Sequence, residues 1–422
     1  MQFRMNRRLY GMLGKRLKEA RLDEVCDPRD ERGQRWALSA LLRCALGGLM
    51  SGAQSLAGVE KLSMRLSRPM RRLLGVRRRV PDTTLRDTLC ALEPEALRAP
   101  LHAVVRAAYR RKALEPDELP FGVVSMDGKV FSIPSSDDWY AQRQTATEEG
   151  PIVGLVRTVT CALTSIAAQP VIDVTPIPAP TNEMGIFESS LDRLCQAYPT
   201  LGLFELVTYD AGACSETNAR AVRDRGLHYL FGLKASQPTL LLEAQRWLGA
   251  RPPSQADATH ETLERAERVV RTLYLGEATA TPEGWEHLRT VVRVQTETFD
   301  LTGKLLRTDQ HYFLSSLPRC RLTAAHWLLV IRRHWGVEIA HQALDVSFEE
   351  DDHPWLAANP RGALVVAILR RIAYTILTLF RSVTQRSDER RRIPWKDLML
   401  DLFVAFLTTT DEQSRDLLPR PS

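Results

Sequence analysis

The sequence predicts a mixed α/β protein: helical at its N-terminal end, strand-rich in the middle and helical again toward the C-terminus. Three observations carry that expectation. Residues 1 to 115 contain helix-forming stretches joined by basic turns. At Pro120 the pattern changes to short apolar runs of strand length, interleaved with helical segments. From Thr323 onward apolar residues recur at helical spacing. The expected organisation is a helical segment over 1–115, a core over 116–248, a β-rich insertion over 249–317, closing helices of the core over 318–385 and a helical tail over 386–422.

Within the first segment, Trp36 to Leu46 is helix-forming throughout and ends near Gly47-Gly48. A second helix is expected over Ser55–Leu66. Arg71 to Pro81 reads as a basic turn, with Arg77, Arg78 and Arg79 in succession. Asp82 or Thr83 would cap the helix that follows, which carries Arg86. Helix, basic turn and capped helix is the outline of a helix-turn-helix, whose second helix would enter a major groove. These four arginines are therefore candidate DNA contacts. A long helix over Glu95–Lys112 closes the segment.

The core opens with the apolar run Phe121 to Met126, expected to stop at Asp127. Strands are expected over 155–163 and 169–177, then a helix over 182–198. A fourth strand, Leu203 to Tyr209, stops at Asp210; a helix capped by Ser215 follows. His228 to Lys234 is a fifth strand and Pro238 to Leu248 a helix. The next segment holds β-like runs near 268–275, 287–296 and 308–315. One helix is expected from Thr323 through Phe348, with others near 361–381 and 395–408; the charge-dense stretch 386–392 reads as a solvated connector. Three strands, helix, strand, helix, strand and closing helix is the element order of a ribonuclease-H-like fold.

Where the acids fall in that order gives it chemical meaning. Asp127 and Asp210 each end a strand, and in such a sheet the two strands are neighbours. Gly128 and Ala211-Gly212-Ala213 follow them, leaving room for a ligand or a sharp turn. An Asp at a strand end also serves as a turn former or helix cap. On the otherwise apolar helix after Thr323, His334, Glu338, His341 and Asp345 recur at i, i+4, i+7 and i+11, forming one polar stripe. That stripe either faces solvent or lines a site, because unpaired buried charge is costly. Glu338-x-x-His341 also matches the short motif of di-iron bundles, but the second copy such a bundle needs is missing. Two aspartates and a glutamate are all-oxygen ligands and favour Mg²⁺ or Mn²⁺ over zinc.

Composition sets outer bounds. Hydrophobic residues make up 44% and charged residues 26% of the 422, which places the chain among globular rather than disordered proteins. The net charge of +6, mostly through arginine, suits a nucleic-acid partner and equally suits codon bias in a GC-rich genome. Seven cysteines without a Cys-x-x-Cys pair argue against structural zinc and a disulfide framework. The N-terminus lacks a secretory apolar stretch, and the two most apolar segments are interrupted by Arg43 and by Arg370-Arg371. Neither is expected to span a bilayer, so a cytoplasmic protein with no membrane partner is expected.

The motifs Met126-Asp127-Gly128-Lys129, Tyr209-Asp210-Ala-Gly-Ala and Leu233-Lys234-Ala-Ser-Gln237 occur in order. Thr181-Asn182-Glu183-Met184 precedes the second. Ile331-Arg-Arg-His334-Trp335-Gly-Val-Glu338 continues to Leu344-Asp345-Val-Ser-Phe348-Glu349-Glu350-Asp351. Asp27 to Gly33, Ser51 to Gly58 and Pro81 to Arg86 complete the set. Together these segments resemble the DDE transposases of bacterial insertion sequences, in particular the H-repeat-associated (ISAs-type) branch. The resemblance implies a ribonuclease-H-like core and two-metal catalysis of DNA strand cleavage and joining. It also implies recognition of terminal inverted repeats and target DNA, and a homodimer in the DNA complex.

On that reading Asp127, Asp210 and Glu338 hold two Mg²⁺ (or Mn²⁺) ions, with Asp127 bridging both. Lys129, Lys234 and His334 are candidates for phosphate contact, or else structural ion-pair partners. The wider superfamily places Tyr, Arg and Lys beside the glutamate where this chain has Ile331, His334 and Asp345. Ser135 to Trp139 and Glu148-Glu149 also depart from the branch pattern. Two other readings stand beside this one: a domesticated, non-catalytic DNA-binding protein, and a ribonuclease-H-like nuclease without strand transfer.

Overall fold

The computed structural model of the chain describes residues 2–134, 138–145, 151–199, 202–264, 266–279, 281–385 and 387–415. The departures at 135–137 and 148–149, and Arg386, lie outside the described residues. The first 109 residues fold as helices: α1 (Gln2–Glu19), α2 (Leu38–Met50), α3 (Leu56–Arg65), α4 (Arg68–Leu74), α5 (Asp82–Ala91) and α6 (Arg98–Tyr109). Ser55 caps α3 by accepting from the Gly58 amide. The expected basic turn is in part helical: α4 includes Arg71 and Arg72 and ends at Gly75, whose φ of 73° is the left-handed conformation glycine supplies most readily. Neither Asp82 nor Thr83 caps α5. Pro81 occupies the cap position, and the Asp82 amide donates to the Glu60 carboxylate instead. The single helix expected from Glu95 is a 3₁₀ turn over Pro94–Leu97 followed by α6.

The core sheet is built from β1 (Val123–Pro134), β2 (Gln142–Thr145), β3 (Ile152–Leu163), β4 (Val171–Ile177), β5 (Leu206–Tyr209) and β6 (His228–Leu233). It is joined by β7 (Ala258–Glu264), β8 (Glu267–Glu277), β9 (Thr290–Phe299) and β10 (Leu305–Ser315). The order is β2-β3-β1-β5-β6-β10-β9-β8-β7, with β4 also paired to β3. β1 is antiparallel to β3 and parallel to β5, and β5 is parallel to β6. The β-rich insertion is thus an antiparallel extension of the core sheet, because β10 pairs with β6. It holds four described strands where three were expected. β7, Ala-Thr-His-Glu-Thr-Leu-Glu, lacks the apolar face that periodicity detects, since it pairs only at the sheet's end.

β1 also runs past its expected end. Asp127-Gly128 looks like turn chemistry, yet the ladder to β3 continues from Val124 to Pro134, and Asp127 faces Thr160 within it. Between the strands lie α7 (Glu183–Ala197), α8 (Glu216–Asp224) and α9 (Pro238–Leu248). Asn182 and Ser215 cap α7 and α8 through their side chains.

After the sheet come α10 (Ala324–His334), α11 (Gly336–Val346), α12 (Pro360–Leu379), α13 (Asp388–Arg391), α14 (Trp395–Thr408) and α15 (Asp411–Ser414). The one helix expected over Thr323–Phe348 is therefore two. Trp335 forms the joint, and Gly336 opens α11 against Gln169, whose amide nitrogen would lie 2.5 Å from a Cβ at that position.

α12 is longer and more apolar than the interruption by Arg370-Arg371 leads one to expect. With its terminal π turn it forms Pro360–Thr384, 25 residues of mean hydropathy 1.9, long and apolar enough to cross a bilayer. Here that apolar surface is buried inside the protein. Of α12 itself only Arg361 escapes burial, and the helix packs against α2, α5 and β4. One apolar core accordingly joins the N-terminal helices to the sheet and to α12 and α14. A second, smaller core lies between the sheet and α10.

Candidate acid site

The parallel register of β1 and β5 brings Ser125 opposite Thr208. Two residues further along each chain, on the same face by strand alternation, stand Asp127 and Asp210. Asp127 lies inside β1. Asp210 sits just past β5, where its carboxylate accepts the Gly212 amide at 2.8 Å and caps a 3₁₀ turn. The capping role and the place beside Asp127 therefore coexist. Gly232 on β6 lets that turn approach closely: a Cβ there would lie 2.9 Å from the Ala211 nitrogen.

A buried chain of hydroxyls lies beneath the acids. Thr164 and Ser125 are 2.8 Å apart, Ser125 and Thr208 are 2.8 Å apart, and Thr208 is 2.8 Å from His334 Nδ1. His334 is the last residue of α10, so this contact fastens the joint before α11 to the sheet. Burial pushes the His334 imidazole below its ordinary pKa, with Asp127 and Asp210 offsetting part of the shift. The ring is buried against Thr208.

One turn later comes Glu338. Its side chain is solvent-accessible, but its electrostatic neighbours are Asp127 and Asp210. Burial and then those two carboxylates raise its pKa above the ordinary glutamate value. His341, the next residue of the stripe, is buried, with Nδ1 3.3 Å from Asp127 Oδ2. Its Nε2 has no hydrogen-bond partner among the described residues. The polar stripe thus turns toward β1 and β3, against which α11 packs.

The remaining candidates divide by what holds them. Lys129 is buried and paired with Asp345 at 2.6 Å and Asp351 at 3.1 Å, so it acts as an ion-pair partner rather than an open phosphate contact. Asp345, where the resemblance would place a lysine, is thereby paired with a lysine from β1. Lys234 is exposed and stands 3.6 Å from Asp210 Oδ2, free to reach beyond it. Arg77, Arg78, Arg79 and Arg86 are all exposed; Arg78 lies over the Trp36 ring and Arg79 pairs with Glu60.

Two neighbours of the acids escaped sequence reasoning as site residues. Glu183, the first residue of α7, lies over Gly128, and the space expected for a ligand there holds its carboxylate: a Cβ at 128 would come within 1.8 Å of Glu183 Oε1. Burial, then Asp127 and Asp210, raise its pKa, with Tyr209 and Arg157 offsetting part of the shift. Tyr209, directly before Asp210, is fully buried beside it. The segment Thr181–Met184 stood out in sequence, but no spacing rule says that it folds back onto residue 128.

The site therefore gathers carboxylates on one side of the sheet with little positive charge among them. The donor set is all oxygen, which suits a hard divalent cation. Among the described residues, no three His, Cys, Asp or Glu side chains already surround one ion-sized point, so holding an ion requires side-chain rotation. All seven cysteines are free.

Residues 20–104 match the family model described as DDE_Tnp_1-associated. This match supports a DDE-type transposase family. The matched segment runs from the end of α1 into α6, and thus covers the transposase-associated helices and none of the acids. No curated protein matches the chain.

Proposed function

We propose that the chain is a DNA transposase of the DDE type, with Asp127, Asp210 and Glu338 as its catalytic acids on a ribonuclease-H-like core. One observation carries the reading: two aspartates 83 positions apart in sequence stand at matching places on neighbouring parallel strands, with Glu338 in the electrostatic field of both. The strand order β3-β1-β5-β6, antiparallel once and parallel twice, supports it. So does the family match to the helices that precede it.

Divalent cations held by the three acids would supply electrophilic stabilisation of an in-line phosphoryl transfer and lower the pKa of the attacking water or 3′-hydroxyl. The chain's own residues set up that chemistry. The Ser125–Thr208–His334 hydroxyl and imidazole chain holds β1, β5 and α10 in fixed relation, just before the turn that carries Glu338. His341 contacts the outer oxygen of Asp127 and limits its rotation. Lys234, exposed beside Asp210, is placed to meet a phosphate arriving from solvent. The exposed Arg77, in the bend between α4 and α5, and Arg86, on α5, are candidate backbone contacts. Action on paired inverted repeats by a cytoplasmic homodimer belongs to the same proposal.

The test is Mg²⁺-dependent nicking of supercoiled DNA by purified protein, followed by transfer of a labelled 3′ end into a target. Wild type should do both, and the Asp210→Ala protein neither. Nicking without transfer points to a nuclease. DNA binding without metal-dependent nicking points to a non-catalytic DNA-binding protein.

A further inference from the structure

We infer that Glu183 is a fourth carboxylate of the acid site, ligating a divalent cation together with Asp127 across the gap that Gly128 leaves open. This inference rests on the transposase reading of the site and adds a ligand to it.

The geometry starts from the strand. Gly128 follows Asp127 in β1, and the Glu183 carboxylate occupies the volume where any other residue would carry its Cβ, with Oε1 1.8 Å and Oε2 2.7 Å from that point. Asn182 fixes the start of α7 by accepting the Gly185 amide, so Glu183 is delivered there by a capped helix rather than by a loose loop. Among the described residues no cation stands within ion-pair distance of Glu183, and Arg157, which lies nearby, donates its guanidinium to the carbonyls of Pro178, Ala179 and Thr181.

Two buried polar groups beside the acids are left unsatisfied. Tyr209 is 1% exposed, packs edge-on against Phe187 of α7 at 5.6 Å, and brings its hydroxyl beside Glu183. That hydroxyl has Glu183 as its polar neighbour and forms no hydrogen bond of ordinary geometry to any described residue. His341 is 9% exposed, with its Nε2 likewise unpartnered behind Asp127. Buried polar atoms are rarely left without partners in a finished structure. Here they flank carboxylates that repel one another, as in a site completed by a cation that draws the acids together and reorients their hydrogen bonds. The raised proton affinity of Glu183 agrees with that missing positive charge.

Calorimetric titration of the full chain with MnCl₂ tests the inference without any DNA substrate. Glu183→Gln keeps the shape and the Tyr209 contact and removes the charge, so it should weaken Mn²⁺ binding about tenfold or more. Its thermal midpoint without metal should not fall. Gly128→Ala should weaken Mn²⁺ binding as well, by displacing the Glu183 carboxylate while leaving every acid in the sequence. Wild-type affinity and stoichiometry in both variants overturn the inference. If Asp127→Asn weakens Mn²⁺ binding while Glu183→Gln does not, the triad stands and Glu183 falls. If Glu183→Gln weakens it while Asp127→Asn does not, the shared site and the triad both fall, because Glu183 then binds without Asp127. A wild-type protein that binds no Mn²⁺ overturns both.

Discussion

Two clusters of charge in this protein use the same residue types to opposite effect. Around Glu350 carboxylate and guanidinium are paired with each other. Glu350 and Arg371 are wholly buried and paired at 2.8 Å, and Arg371 also donates to the Ala367 carbonyl and the Thr158 hydroxyl. Burial alone would raise Glu350, but Arg371, Arg370 and Lys129 outweigh it and hold the carboxyl below its ordinary value. Asp173 is similar: His102 and Arg98 together overcome the cost of its burial. In the acid site the balance is reversed. Glu338 and Glu183 are raised, by burial first and then by Asp127 and Asp210. The first kind of cluster knits the fold together. The second gathers repulsion, which on the proposed reading a bound cation would relieve.

Substitutions that separate these clusters give the largest effects first. Asp210→Ala should cut Mg²⁺-dependent nicking by about 10³-fold or more, equivalent to ~4 kcal/mol of transition-state stabilisation. The same protein should melt close to wild type, since the lost repulsion offsets the lost cap on Gly212; a large fall in melting temperature would make Asp210 a structural residue. Glu350→Ala should do the reverse. Stranding Arg371 unpaired in the core should cost about 3–5 kcal/mol in urea unfolding, and replacing Glu350 and Arg371 together by apolar residues should cost much less. Asp173→Asn should cost about 3 kcal/mol by the same mechanism, because it leaves Arg98 without its carboxylate.

The smallest effect sharpens the comparison through pH. Glu350 and Asp173 are depressed, so their stabilisation is present above the unfolded values of 4.5 and 3.8 and is lost as pH falls through their folded values. Glu338 is raised, so its contribution has the opposite sign. It is fully present below 4.5 and lost as pH rises through the folded value. Glu338→Gln should therefore slightly flatten the decline in stability above pH 4.5, measured by urea midpoints at several pH values. A steeper decline in the variant would contradict the placement of Glu338 beside the two aspartates.

Local chemistry made much of this protein legible. Helix ends at Ser55, Asn182 and Ser215 follow from short side chains that accept a backbone amide, and they lie where a one-dimensional reading places them. α9 and α14 coincide with the expected helices, and Asp127, Asp210 and the stripe through Glu338 stand out by position alone. β7 and the extension of β1 beyond Asp127 did not. Their residues take strand form because a neighbouring ladder supplies hydrogen bonds, and not because their own pattern demands it.

By itself, then, the sequence determined the helical and strand segments that carry their own periodicity, their caps, and which acids were candidates. Tertiary structure alone decided that Lys129 is spent on Asp345 and Asp351, that His334 is buried against Thr208, that the insertion extends the core sheet, and that Glu183 lies on Gly128. The reason is range. Capping and periodicity act between residues a few positions apart, whereas burial and Coulomb fields act between groups brought together by the chain's long returns.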